Sequence, residues 1–225
     1  MTSPASSTSR TVESSGVRRG RVGATVTAVG SAIYLAGLFL PIGSEVYEAG
    51  GNGDDARALA LLSESGTQWD IAVGLGGLGI VIAAVGLWLL GRETAQASAT
   101  PRVRRAGTIA AWLGLLSGLA VIGQIWLIIS SPQEIVDGIS SAPLVIVGGL
   151  ANSIGLWGAF IGLGLALIWL PHLRVVGWIL LVIGTLTIPT HAFMGPPASY
   201  LLLLVVGVVL AVKPVRVAVV AESPG

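Results

Sequence analysis

The chain alternates long apolar runs with short polar segments, and this pattern predicts transmembrane helices. A helix needs about 20 predominantly apolar residues to cross roughly 30 Å of hydrocarbon. The shortest of the runs has 15 residues. None of the six runs contains Lys, Arg, Asp or Glu, and they cover residues 22–42, 71–90, 107–130, 143–170, 175–193 and 198–212. We therefore predict an all-α, polytopic bundle of six transmembrane helices.

The polar segments at either end and between the runs complete this organisation. Residues 1–20 are rich in Ser, Thr and Arg, which predicts a disordered cytoplasmic N-terminal tail. The six-helix domain then covers 21–213, and 214–225 form a cytoplasmic C-terminal tail. In the longest loop, 43–70, two aspartates precede a leucine-rich stretch, a pattern typical of a short capped helix.

The charged residues between the runs predict the orientation in the membrane. With six spans, 11 of the 12 basic residues fall on one side and eight of the 11 acids fall on the other, Arg57 being the basic exception. Lys and Arg are retained in short cytoplasmic loops. We therefore expect a plasma (inner) membrane protein of a bacterium, with both termini in the cytoplasm.

Short repeated motifs indicate that the six spans form three helical hairpins that face outward. The motif Trp-x-x-x-x-Gly-Leu-Gly begins at Trp69 and again at Trp157. Its seven-residue spacing from aromatic residue to glycine recurs once more in the sixth span. Each odd-numbered span begins with an arginine that has a glycine two or three residues after it. The glycines are Gly23, Gly107 and Gly177. Inverted or parallel repeats are common in transporter folds, although 32 glycines also make short chance matches easy.

Two pairs of glycines have the spacing of close helix packing. Small residues four positions apart allow helix backbones to approach each other in lipid, where apolar burial does not drive association. Gly114 with Gly118, and Gly158 with Gly162, have this spacing. We interpret them as packing seams within the chain, and the alternative is an interface between two copies.

Composition excludes several classes of function. The chain is 53% hydrophobic and 10% charged, with a mean hydropathy of +0.87, whereas soluble domains have about 25% charged residues. The net charge of +1 does not indicate a nucleic-acid partner. The absence of cysteine excludes disulfides, thiol nucleophiles and thiolate metal sites. No motif predicts a cofactor or a metal, so the expected partner is the lipid bilayer.

One pair of polar residues within the spans is a candidate site. Gln124 lies in the outer half of the third span and Asn152 lies in the outer part of the fourth, at a similar predicted depth. They form either a polar pocket that opens outward or an interhelical hydrogen bond, which contributes about 1 kcal/mol. Ionisable residues within the membrane normally mark functional sites, and the six spans have none well inside, since His191 lies at the outer end of the fifth.

The sequence supports two hypotheses about function and predicts no enzyme. Because we find no catalytic constellation, the first hypothesis is a non-enzymatic accessory or structural subunit of a membrane complex, with another membrane protein as its partner. The alternative is a substrate-binding or permease component of a transporter for a small neutral or apolar molecule. That alternative requires a pocket around Gln124 and Asn152.

Overall fold

The structure is a computed structural model that describes residues 8–42, 45, 48–49, 52, 54–130 and 143–213. It describes most side chains within 21–123, and those of 147–186 and 198–213. Every regular element in these ranges is helical. The elements are α1 (Thr8–Leu38), α2 (Asp55–Ser65), α3 (Thr67–Gln96), α4 (Pro101–Ser130), α5 (Pro143–Ile168), a 3-10 turn (Pro171–Leu173) and α6 (Arg174–Val212).

Four helical segments among the described residues are long and apolar enough to cross a membrane, and they coincide with the first four predicted spans. Two further apolar segments belong to the fifth and sixth predicted spans but are shorter. The four long segments are Arg21–Leu38, Thr67–Gln96, Pro101–Gly123 and Val147–Ile168, and the two shorter ones are Pro171–Leu186 and Ala198–Val212. The membrane-protein class and the all-α architecture therefore hold in the structure.

Two helices, α1 and α6, continue beyond the bounds of the predicted spans. The tail predicted to be disordered is helical from Thr8 onward, because a helix that has already formed across a membrane is extended at little cost by the residues preceding it. The fifth and sixth predicted spans lie in a single helix of 39 residues, α6. We refer to residues 174–186 as α6a and to Ala198–Val212 as α6b, since these parts of α6 contact different helices.

The short helix in the first long loop forms as its sequence predicts. Asp54 is the N-cap of α2, and its side-chain Oδ1 accepts the backbone N–H of Arg57 at 3.1 Å. This bond satisfies one of the backbone donors that the first turn of a helix leaves without an intrahelical partner. Helix α2 contacts the bundle mainly through α3.

The long helices form a closed ring. Helix α1 packs on α3, α3 on α4, α4 on α5, α5 on α6, and α6 returns to α1. The contact with α5 is made by α6a, where Gly164 meets Gly177, and the contact with α1 is made by α6b, where Gly207 meets Ala24. The ring therefore closes through the two parts of one helix.

Three helix crossings in this ring share an atomic pattern, which is repeated where Gly155 of α5 meets Leu113 and Ser117 of α4. In each, a Cβ added to a glycine would lie 2.7–2.9 Å from a carbonyl oxygen of the neighbouring helix and from the backbone nitrogen four residues later. Backbones this close exclude any side chain at the crossing and permit Cα–H···O contacts. The crossings are Gly91 on Gly107 and Ala111 (α3 on α4), Gly164 on Gly177 and Leu181 (α5 on α6a), and Gly207 on Ala24 and Ala28 (α6b on α1).

These crossings define which repeated motifs occupy equivalent positions. Gly107 of α4 and Gly177 of α6a make this contact on their helices, and on α1 it is made by Ala24 rather than by the neighbouring Gly23. Gly164 and Gly207 are also equivalent, so the aromatic residues seven positions before them, Trp157 and Tyr200, correspond as well. The glycine that follows Trp69 at the same spacing does not take this position in α3.

In α3, the glycine that contacts the backbone of α4 is Gly91, whereas the glycine seven residues after Trp69 is Gly76. A Cβ on Gly76 would meet nothing nearer than the Tyr34 ring, at 4.0 Å. The motifs that begin at Trp69 and Trp157 therefore share residue types but do not make the same helix contacts. Register between helices depends on which residues face each other, and a short motif does not determine this.

Candidate functional site

A hydrogen bond between α4 and α5 forms the polar centre of the described interior. The hydroxyl of Ser117 donates to Oδ1 of Asn152 over 2.6 Å. Ser117 is almost completely buried, and Asn152 is partly buried. The two helices approach closely here, because a Cβ on Gly155 would lie only 2.7 Å from the backbone nitrogen of Ser117.

Gln124 lies in α4, seven residues beyond Ser117. Seven residues are close to two full turns of an α-helix, so Gln124 is on the same face of α4 as Ser117. Its side chain lies outside the described residues. The observed partner of Asn152 is Ser117. The pairing of Gln124 with Asn152 stays a prediction.

Sequence reasoning missed Ser117. The signal was available, because Ser117 lies inside the Gly114–Gly118 seam, where small residues face a neighbouring helix. A small hydroxyl residue within such a seam is suited to an interhelical hydrogen bond. The two glycines face α3, whereas Ser117 donates to Asn152 on α5, so the seam indicates a closely packed helix but does not identify the partner of Ser117.

The two predicted glycine seams lie at helix contacts within the chain. A Cβ on Gly114 or Gly118 would approach α3, at 3.0 Å from Leu87 Cβ and 2.8 Å from Ala84 Cβ respectively. Gly158 and Gly162 face α4 instead, at the side chain of Leu113 and at Ala110. Neighbouring helices of the same chain cover these faces. In this arrangement a second copy of the chain could not contact them.

Aromatic rings fill the interior beside the polar pair. The rings of Tyr34 on α1 and Tyr200 on α6b lie 4.2 Å apart between centroids and are inclined by 38°. Trp157 meets Phe160 edge to face, with centroids 5.6 Å apart. All four side chains are buried. Contacts of this kind add about 0.5–1.5 kcal/mol to the burial of the rings.

Apolar side chains continue the packed interior along the rest of the bundle. A single cluster connects the aromatic residues with leucines from α3, α5 and both parts of α6, each 2% exposed or less: Leu87, Leu90, Leu163, Leu167, Leu180, Leu203 and Leu210. Three buried hydroxyls are satisfied within their own helices, because Thr27, Ser31 and Thr94 each donate to the carbonyl four residues earlier over 2.8 Å. The described interior therefore needs no further polar partner at these positions.

One carboxyl group lies at the end of the bundle opposite the polar pair. Oε1 of Glu93 accepts the backbone N–H of Gly23 at 3.4 Å, and its Oε2 is buried with no hydrogen-bond partner among the described residues. Glu93 is the third residue after the apolar run 71–90. Among the described residues, no group of three or more His, Cys, Asp or Glu side chains could hold a metal ion.

Comparisons with known proteins identify no relative of this chain. It matches no protein-family model, and no curated protein or solved structure is significantly similar to it.

Proposed function

We propose that the chain crosses the bilayer six times as three hairpins, with both termini in the cytoplasm. The support comes from the heights at which the helices of the ring meet. Gly207 of α6b lies against Ala24 of α1, and the adjacent Gly23 lies against Leu90 of α3. Gly207 is therefore level with the end of α3 that carries Leu90.

The other direction around the ring leads to the same height. Gly91 of α3 lies against Ala111 of α4, and the preceding Ala110 lies against Gly162 of α5. Gly177 of α6a contacts α5 two residues further on, at Gly164. Gly177 and Gly207 are thus at similar heights. A straight helix would separate two residues thirty positions apart by about 45 Å, so a reversal between α6a and α6b explains both contacts.

The chain offers a direct test of this topology because it contains no cysteine. Single cysteines replacing Asn52, Ala99 and Lys213 would be labelled in intact cells with a membrane-impermeant maleimide. We expect labelling of Asn52→Cys from outside, and labelling of Ala99→Cys and Lys213→Cys only after permeabilisation. If α6 crossed once as a straight helix, Lys213→Cys would be labelled from outside, which would refute the six-span topology.

For its role, we propose a non-enzymatic accessory or structural subunit of a membrane complex. The observation that carries this proposal is the interior, which is filled by large side chains from the Tyr34–Tyr200 contact down to Leu90 and Leu210. A filled interior directs function to the outer surface of the bundle. That surface is apolar, with Trp112 64% exposed, and suits contact with lipid and with another membrane protein.

The test is photo-crosslinking in the native membrane. A benzophenone amino acid would replace exposed residues such as Leu119 and Val147, and the matched control would replace the buried Leu163. An accessory subunit predicts one reproducible protein adduct from some exposed positions and none from the control. If no exposed position yields an adduct and the extracted protein is a monomer by native mass spectrometry, the accessory proposal fails.

The alternative is binding of a small neutral molecule by a transporter component. It is favoured by the Ser117–Asn152 pair, which supplies a hydroxyl and an amide between α4 and α5. This reading predicts a discrete small-molecule mass on the extracted monomer. The mass should be lost in Gln124→Ala and Asn152→Ala and kept in Thr185→Ala, whose hydroxyl donates to Leu181 O within its own helix.

A further inference from the structure

Cationic side chains surround the end of the bundle that carries both Leu90 and the α5–α6 turn. We call this group the basic rim, and it consists of Arg21, Arg92, Arg102, Arg104, Arg105, Arg174 and Lys213. All seven are exposed. The described carboxyl at this end, Glu93, accepts a backbone N–H and does not neutralise an arginine. The rim thus has a large excess of positive charge although the whole chain is nearly neutral.

Two arginines of the rim lie over tryptophan rings: Arg92 over Trp88, with its central carbon 5.0 Å from the ring centroid, and Arg102 over Trp169. The guanidinium of Arg102, in the first turn of α4, lies over the ring of Trp169 with its central carbon 5.3 Å from the ring centroid. Trp169 follows α5 and is 53% exposed. Among the described residues, Arg102 makes this contact and forms no ion pair. A stacked guanidinium keeps its N–H edge free for an acceptor, and a planar fork of donors fits a phosphate in bidentate fashion.

The surroundings of this pair correspond to the headgroup region of a bilayer. Trp169 is at the end of the last apolar turn of α5, and the exposed Trp178 lies just inside the start of α6. Exposed tryptophans at span ends lie at the level of lipid headgroups. Arg174 lies between the two tryptophans in the sequence and adds a second exposed cation.

We propose that Arg102 and Trp169 form a binding site for the phosphate of an anionic phospholipid, with Arg174 as an additional cation. The guanidinium binds the phosphate, the indole fixes the guanidinium, and the acyl chains lie along the apolar outer surface of α4 and α5. Exposed Ile109 and Leu165 belong to that surface. A soluble anion would use the charge but not the apolar surface beside it, so the geometry favours a lipid.

The experiment measures lipid adducts on the intact purified protein by native mass spectrometry. The protein would be titrated with dioleoylphosphatidylglycerol, dioleoylphosphatidylcholine or inorganic phosphate. We expect tighter binding of the anionic lipid than of the other two. Arg102→Gln should weaken binding of the anionic lipid about fivefold, the factor for about 1 kcal/mol per basic residue near an anionic surface, and should leave the zwitterionic lipid unaffected.

Matched variants separate a built site from general attraction. Arg57→Gln removes an exposed positive charge at the opposite end of the bundle and should leave binding unchanged. Arg102→Lys keeps the charge but loses the planar fork, and Trp169→Leu removes the support, so both should weaken binding of the anionic lipid. The proposal is overturned if Arg102→Lys binds like the unmodified chain, if Arg57→Gln weakens binding equally, or if phosphate alone binds as well as the lipid.

Discussion

Replacing Gly164 by alanine tests whether backbone proximity at the helix crossings stabilises the ring. The added Cβ would lie 2.8 Å from the nitrogen of Leu181 and 2.9 Å from the oxygen of Gly177, whereas ordinary contact begins at 3.4 Å. Both obstacles are backbone atoms and cannot rotate away. Helices α5 and α6a would have to separate by about half an ångström, and overpacking of this kind costs about 1–3 kcal/mol.

Gly74→Ala is the matched control, because a Cβ there would meet nothing within 4 Å. Both substitutions are within helices and gain the same helix propensity, up to about 1 kcal/mol, so the difference between the two variants isolates the clash. For a domain of this size, 1 kcal/mol shifts Tm by about 2–4 °C. We therefore expect Gly164→Ala to unfold about 2–12 °C below Gly74→Ala.

The assay is thermal unfolding of both variants in the same detergent, followed by tryptophan fluorescence. If the three crossings are equivalent, Gly91→Ala and Gly207→Ala will show losses of the same size as Gly164→Ala. If Gly164→Ala unfolds at or above the temperature of Gly74→Ala, close backbone contact does not stabilise this crossing, and the reasoning from the glycines is wrong.

Two further predictions follow from the contacts of the interior. Ser117→Ala and Asn152→Ala should each destabilise the protein by about 0.6–1.7 kcal/mol, and the double variant should lose less than the two separate losses together because they remove one shared bond. Tyr200→Ala should cost about 3–5 kcal/mol, whereas Tyr200→Phe retains the ring contact and should cost far less.

Each of these has an outcome that contradicts it. Fully additive losses at Ser117 and Asn152 would mean that their hydrogen bond is not coupled in the folded protein. Equal losses for both Tyr200 variants would assign the stabilisation to the hydroxyl and not to the ring.

The sequence by itself determined where the membrane helices lie and which residues belong at which end. Both conclusions depend on local properties, since a bilayer selects apolar runs by length and sorts Lys and Arg by side. Four helices of the structure coincide with predicted spans for this reason. The capped helix α2 was also predictable, because capping involves only residues close together in the chain.

The tertiary structure alone decided how those helices meet. Gly91, and not Gly76, is the glycine of α3 that lies against the backbone of α4, and Ser117 is the observed partner of Asn152. Both facts depend on the register between helices far apart in the sequence, and a motif cannot specify register when many small residues offer near-equivalent contacts. The return of α6b to α1 is likewise a property of the closed ring. Each contact depends on the chemistry of the residues that form it. Which residues meet, however, depends on the packing of all the helices together.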